Sequence, residues 1–462
     1  MHGRTASERA HEGARKVLSD CLRLTGGDKL SIIYDETTAE TAQVLIEAGE
    51  AVGLDVNAYL ARLDHQRRFS PERGLCRECL KALRGYTGIL TCLSDGPETT
   101  SYRRELVREG ASGTTRLGHM PGARLFVLEW AVNIDYEAAT ARREDLALAL
   151  AIGTTARLET AAVDGSGNQT RYSLTLDLGG ASRFPVMSTG IVPAGAWGNL
   201  PGGETFIAPL EGKASGQVAI TGAFKDRVLR ASEALIFSFE GGRISDVAGP
   251  GDCLAAFDKL VAAARTAHDP HWDELAELGI GVNEGITELT GNALYDEKCA
   301  GTIHIAIGES QNFGGALESQ IHEDLVTRFP SLWIDDRPIL LEGNYVFSPD
   351  DWYEDVDRHP IDPRLNDAAL RVGRTPESTV SRNGELRRVH LVGGGRTCVY
   401  RIGNDATSPR LLRMYNQIRP FERVSVAQLC SRIDDGGLST ETQVKAGLSI
   451  LIRHGLVFVE GQ

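Results

Sequence analysis

The chain has 462 residues, of which 42% are hydrophobic and 6% aromatic, and its formal net charge is -14 at pH 7. That length exceeds one ordinary core and calls for two or three domains. The acidic balance disfavours nucleic acid and anionic membrane as partners, and it suits uptake of divalent cations as well as plain solubility.

Along residues 1–155, short apolar runs alternate with helical patterns. After an amphipathic N-terminal helix, KLSIIYD (29–35) is a strand, followed by a helix through TAETAQVLIEAGEAVG. VNAYLARL (56–63) and GILTCLSD (88–95) are further strands, separated by a helix ending near Leu83, and a helix around SYRRELVREG precedes TRLGHMP (115–121). Strands and helices alternating at this length predict an α/β N-terminal domain with a mostly parallel sheet. No GxGxxG follows the first strand, so no dinucleotide site is expected.

From about Ala156 the pattern becomes period-2 with turn residues, beginning at TAAVDGSGNQTRYSLTLDLGG. Strands follow at SGQVAITGAF, ALIFSFEGG, GRISDVAG, ELAELGIGVN, GTIHIAIG and PSLWIDDRPILLEGN, with one helix from about Cys253 to Thr266. Residues 156–347 are thus a β-rich α+β domain. Residues 348–384 are polar and broken by Pro, and read as a linker. Residues 385–462 form a small winged-helix-like domain: strands at RRVHLVGG and TCVYRIG, helices at SPRLLRMYNQI, SVAQLCSRI and TETQVKAGLSILIRHG, then a strand at LVFVE. The GGGRT run (393–397) reads as a hairpin turn, since no helix follows it directly.

Eight scattered cysteines (Cys21, Cys76, Cys79, Cys92, Cys253, Cys299, Cys398 and Cys430) make no disulfide framework. Cys76 and Cys79 form a CxxC inside a helix, without the second pair a zinc site needs. The N-terminus has no apolar signal core and no run of eighteen apolar residues occurs, so a cytoplasmic protein is expected.

The second domain carries the candidate chemistry. Glu204 follows a Pro-Gly-Gly turn in GNLPGGETFIAP, where a lone Glu more often meets solvent. Glu277 lies among apolar neighbours in DELAELGIGVNEG, and a buried carboxylate must be paired or metal-bound. His304 sits amid isoleucines in GTIHIAIG, a setting that also suits a satisfied core histidine. In SQIHEDLVTR, His322 and Asp324 are two residues apart, so on a strand an imidazole and a carboxylate face one side. Hard divalent ions need such carboxylates and imidazoles converging from rigid elements. Asp296 and Glu297, upstream of His304, are either partners orienting an imidazole or a solvated pair.

The order GETFIAP, AELGIGVN, NALYDEKCAGTIHIAIG and then HxD before a hairpin resembles the thermophilic metalloaminopeptidase (aminopeptidase T) family, over roughly residues 20–345. The resemblance implies a hydrolase holding two divalent ions (Zn, Co or Mn) on Glu204, Glu277, His304, His322 and Asp324. It implies Glu277 as base toward a metal-activated water, a peptide or small amide substrate, and a homodimer. The family has a catalytic Tyr seven residues after the His matching His304. Here that position is Gln311, whose amide can donate to an oxyanion but cannot transfer a proton. Tyr295 is the candidate substitute. The alternative on a similar scaffold is a ring-cleaving dihydroxypyridine dioxygenase with one iron in a 2-His-1-carboxylate set. That branch has His where this chain has Glu277 and lacks the Glu matching Glu204. A third role, recruiting a peptide, rests on the C-terminal domain, whose strands followed by three helices resemble peptide-recognition modules that pair a leader peptide beside a strand; the domain carries eleven Lys and Arg against seven Asp and Glu. Its charge alone also permits DNA, but no basic stripe forms on its helices.

Overall fold

The computed structural model describes residues 4–163, 166–179, 183, 185–225 and 227–347, and beyond them 364, 371–374, 378–380, 386–392, 396–401, 418, 423–433, 444–445, 448–449, 451–452 and 457–459. The N-terminal apolar runs form Lys29–Tyr34, Asp55–Leu60, Gly88–Cys92 and Arg116–His119, all paired in parallel. Leu30, Ile32, Ile33, Ile89 and Leu90 are fully buried, as a parallel sheet covered on both faces requires. The first helix, Ala6–Lys16, opens with a capping box: Thr5 Oγ1 accepts from the Glu8 amide, and the Glu8 carboxylate accepts from the Thr5 amide. A fifth parallel strand, Trp197–Asn199, lines up beside Arg116–His119. The chain therefore enters the second domain and returns to finish the first sheet. That pairing is non-local, and periodicity carries no sign of it.

The second domain has two antiparallel sheets. The eight-stranded one contains the hairpin Thr155–Val163 with Gln169–Asp177, then Ser215–Ile220, Leu235–Glu240, Arg243–Ala248 and the strands after residue 330. The seven-stranded one has at its centre His322–Thr327, Ile303–Gly308, Leu275–Gly281 and Glu204–Ile207, in that spatial order. Alternation along Ile303–Gly308 decides which side faces what. Ile303, Ile305 and Ile307 join Leu278, Ile280 and Leu325 in one hydrophobic cluster with Leu158, Leu174, Val218 and Phe237 of the other sheet. Each such isoleucine contributes roughly 1.5–3 kcal/mol of burial. His304, Ala306 and Gly308 must then face the opposite way. The helix Gly251–Thr266 covers the same core through Phe257 and Val261.

In the last part of the chain, Leu386–Val392 and Arg396–Arg401 pair antiparallel, the helix Val426–Ile433 forms over SVAQLCSRI, and Val457–Val459 is a strand. Within the stretch read as a linker, Arg371–Arg374 pairs with Val424–Ser425 and Val457–Val459, and Ser378–Val380 pairs with Leu386–Val392. Ile418, Leu429, Leu448 and Ile452 share the hydrophobic cluster of the antiparallel sheets. The helix expected at SPRLLRMYNQI lies outside the described residues apart from Ile418, as do the three glycines of GGGRT. Among the described residues no helix is long and apolar enough to cross a membrane.

Candidate metal centre

The five donors converge on the face of the seven-stranded sheet that turns away from its core. Each strand delivers its donor opposite a glycine or alanine of the next. Glu204 pairs with Gly281, His304 with Gly279, Glu277 with Ala306, Asp324 with Ala306 and His322 with Gly308. Small residues across from large donors leave room between the side chains. At Gly279 the fit is tightest, because a Cβ there would collide with the His304 ring.

The Pro-Gly-Gly turn fixes Glu204. Gly203 has φ of 140°, and a Cβ on it would meet the Asn283 side chain. Asn283 in turn donates to the carbonyls of Gly202 (2.7 Å) and Ala131 (2.8 Å), tying the turn to the N-terminal domain. Glu204 and Glu277 are almost wholly buried and His304 is fully so. Buried carboxylates this close need a counter-charge.

His304 Nε2 lies 3.0 Å from Glu277 Oε1 and 3.6 Å from Glu204 Oε2. His322 Nε2 lies 3.5 Å from both Glu277 Oε2 and Asp324 Oδ1. Its Nδ1, 2.8 Å from the carbonyl of Glu309, donates to it in the neutral ring, which leaves Nε2 as the free lone pair toward the carboxylates. Loss of water works against protonation of both rings, fully at the buried His304 and in part at His322, which keeps some exposure. It is outweighed by the Glu277 hydrogen bond and nearby carboxylates at His304, raised to about 9, and by Asp324 and Glu277 at His322, raised to about 10. Asp324 is pulled below the usual carboxylate range by the two histidines, against the effect of its own burial.

Two further groups belong to the cluster. Glu297 joins Glu204 and His304 in one group of donor atoms, and Glu277, His304 and Asp324 form a second, each within 4.8 Å. His304 is common to both. Between Glu204 and Glu297 lies Lys298, fully buried, its Nζ 2.9 Å from Glu204 Oε1 and also bonded to Glu297 Oε1. Of the two settings its sequence allows, Glu297 takes the one that faces the donors. Lys298 is buried although a DEK run has the composition of a solvated segment. Its neighbour Asp296 does not face the donors. It accepts from the amides of Thr290 and Gly291 (both 2.7 Å) and closes that loop.

Two other candidates lie elsewhere. Tyr295 is buried against Phe126 and its hydroxyl donates to the Pro121 carbonyl (2.8 Å), so it is not a stand-in for the missing phenol. Gln311 is exposed at the start of the short turn Gln311–Phe313 and, among the described residues, hydrogen-bonds to none of the five donors. Phe313 of that turn is buried with its ring edge-on to His322, centroids 5.6 Å apart. In the CxxC, Cys76 is exposed and caps the helix Arg77–Ala82, while burial pushes the Cys79 thiol up to about 11.

The residues fit divalent metal. Four carboxylates and two imidazoles offering Nε2 suit hard or borderline ions. The glycines opposite them supply the space, and the crowding of negative charge supplies the need. Residues 174–327 match the family described as thermophilic metalloprotease (M29). With that match the chain is similar to metalloproteases, hydrolases that use divalent metal. Two solved structures share its fold at 15% identity. They are 2,5-dihydroxypyridine dioxygenase from Pseudomonas putida KT2440 (TM-score 0.55, 75% of this chain and 99% of that one) and wild-type AmpT from Thermus thermophilus (TM-score 0.51, 74% and 100%). A comparison with curated proteins gave no match. The stretch matched to the M29 family contains all five expected donors together with Glu297 and Lys298.

Proposed function

We propose that this M29-type chain hydrolyses an amide bond of a peptide or small aminoacyl substrate, using two divalent ions held by Glu204, Glu277, Glu297, His304, His322 and Asp324. The observation that carries this is the pair of overlapping donor groups, with four carboxylates between them and the Nε2 of the shared His304 available to one ion. Two overlapping groups on one sheet face suit two ions a few Å apart. Bound there, the ions supply Lewis-acid polarisation of a carbonyl and acidification of a water.

The protein's own part follows from the geometry. Glu277 has one oxygen toward each histidine, so it lies centrally and is the carboxylate best placed to take the water's proton. His322 keeps its orientation through the Glu309 carbonyl. Phe313 and Phe206, with rings 5.4 Å apart, line the same face and limit water there. Gln311 cannot pass a proton to a leaving amine, so turnover of ordinary aminopeptidase substrates is expected to be poor. The 2-His-1-carboxylate iron reading fits less well, because three carboxylates beyond the one it needs are also present in the cluster.

The test is turnover of leucyl and alanyl anilides and of a panel of aminoacyl amides by protein reconstituted with Zn, Mn or Co, with Gln311→Tyr run alongside. Metal-dependent amide cleavage, raised for anilides by Gln311→Tyr, supports the reading. No cleavage across the panel, together with oxygen uptake on dihydroxypyridines, would replace it with the dioxygenase.

A further inference from the structure

The proposal concerns Lys298. A fully buried ammonium is costly unless paired, and here both of its partners are carboxylates of the donor cluster. The bonds fall on one oxygen of each: Oε1 of Glu204 and Oε1 of Glu297. Glu204 keeps its Oε2 toward His304, 3.6 Å away. The two donor groups are therefore unequal. Both carboxylates of the Glu204–Glu297–His304 group already share a fixed positive charge. The Glu277–His304–Asp324 group has no ion pair with Lys298 among the described residues.

We propose that Lys298 acts as a built-in cation that weakens the Glu204–Glu297 side of the cluster for a divalent ion, so that the Glu277–His304–Asp324 position fills first, taking the His304 Nε2, and the second ion is exchangeable. This rests on the two-ion reading above. The physical reason is like-charge repulsion at short range in a buried, low-dielectric setting, where a neighbouring unit charge is felt far more than in water. The ammonium also holds Glu204 and Glu297 in place while the second ion is absent, which two bare carboxylates would not do for themselves. Lys298 is a positioning residue in this scheme and touches no substrate.

Calorimetric titration of the metal-free, full-length protein with Mn²⁺ tests this. The wild type should show two binding events at least about tenfold apart in affinity. Lys298→Gln, neutral but still able to donate to both glutamates, should tighten the weaker event by at least about tenfold and leave the stronger within about threefold. Lys298→Arg, which keeps the charge, should preserve the gap. Lys298→Met gives the same comparison as Lys298→Gln with different packing, should the amide fail to fold, and circular dichroism melting establishes which variants are folded. Two equally tight events in the wild type, or a weaker event that Lys298→Gln leaves unchanged or weakens further, would overturn the proposal while the two-ion reading stands. A single event in wild type and in both neutral variants would overturn that reading, and the proposal with it.

Discussion

The imidazole of His304 lies directly over Gly279, its cross-strand partner, with no room for a methyl group between them. The same strand carries Glu277 two residues earlier on the same face, so one strand supplies both a donor and the space the next donor occupies. Gly279→Ala should push the ring off its position. The expected cost is about 1–3 kcal/mol of stability from overpacking, with metal affinity reduced by about tenfold or more, since ligand misplacement is felt steeply. Thermal melting and metal titration of the variant check both. Affinity equal to wild type would show that the ring has freedom the packing does not suggest.

Metal should stabilise the fold. The donors come from four strands, and metal-free carboxylates crowd one another. An ion bound to the native state alone adds about 2.7 kcal/mol at a hundredfold excess over Kd. Melting with Mn²⁺ or Zn²⁺ should shift upward, and a chelator should reverse the shift. An unchanged melting temperature at saturating metal would mean the donors are not a resident site.

The two histidines give the metal-free protein an unusual pH dependence. Folding raises His304 to about 9 and His322 to about 10, from an unfolded value near 6.5. Their contribution to stability is fully present below about pH 6.5 and is lost as pH climbs through 9 and 10. Melting temperature without metal should therefore fall between pH 7 and 10. Metal affinity should move the other way, because binding requires neutral rings: the logarithm of the binding constant should rise by about two per pH unit below pH 9. Affinity independent of pH from 6 to 8 would remove the histidines from the ligand set.

Glu277→Gln should fold yet lose about 10²–10⁴ of its turnover, because an amide cannot accept the water's proton. Asp324→Ala should lose metal along with activity. Steady-state rates on whichever amide the wild type cleaves, measured at matched metal content, separate the two effects. Near wild-type turnover by Glu277→Gln would assign the base elsewhere.

Much of the site was legible because it is written locally. The alternation in GTIHIAIG puts three isoleucines into the core and His304 on the other face, and HxD puts His322 and Asp324 side by side. The order of those words completed the set of five. What the sequence hid depends on contacts between distant segments. Lys298 reads as a surface lysine until Glu204, from another strand, is brought to 2.9 Å from it. Glu297 and Asp296 are adjacent in the chain and indistinguishable by composition, yet a single helical turn sends one to the donors and the other to the Thr290–Gly291 amides. Trp197–Asn199 likewise joins the first sheet through a pairing no local pattern announces.

The measurement that bears most directly on the central claim is metal content at equilibrium. Full-length protein, stripped and dialysed against millimolar Zn²⁺, Mn²⁺ or Co²⁺, should hold two divalent ions per chain by elemental analysis, and Glu277→Gln or Asp324→Ala should hold fewer. One equivalent of metal, with iron retained in preference to the others, would contradict the two-ion amide hydrolase and favour the iron dioxygenase.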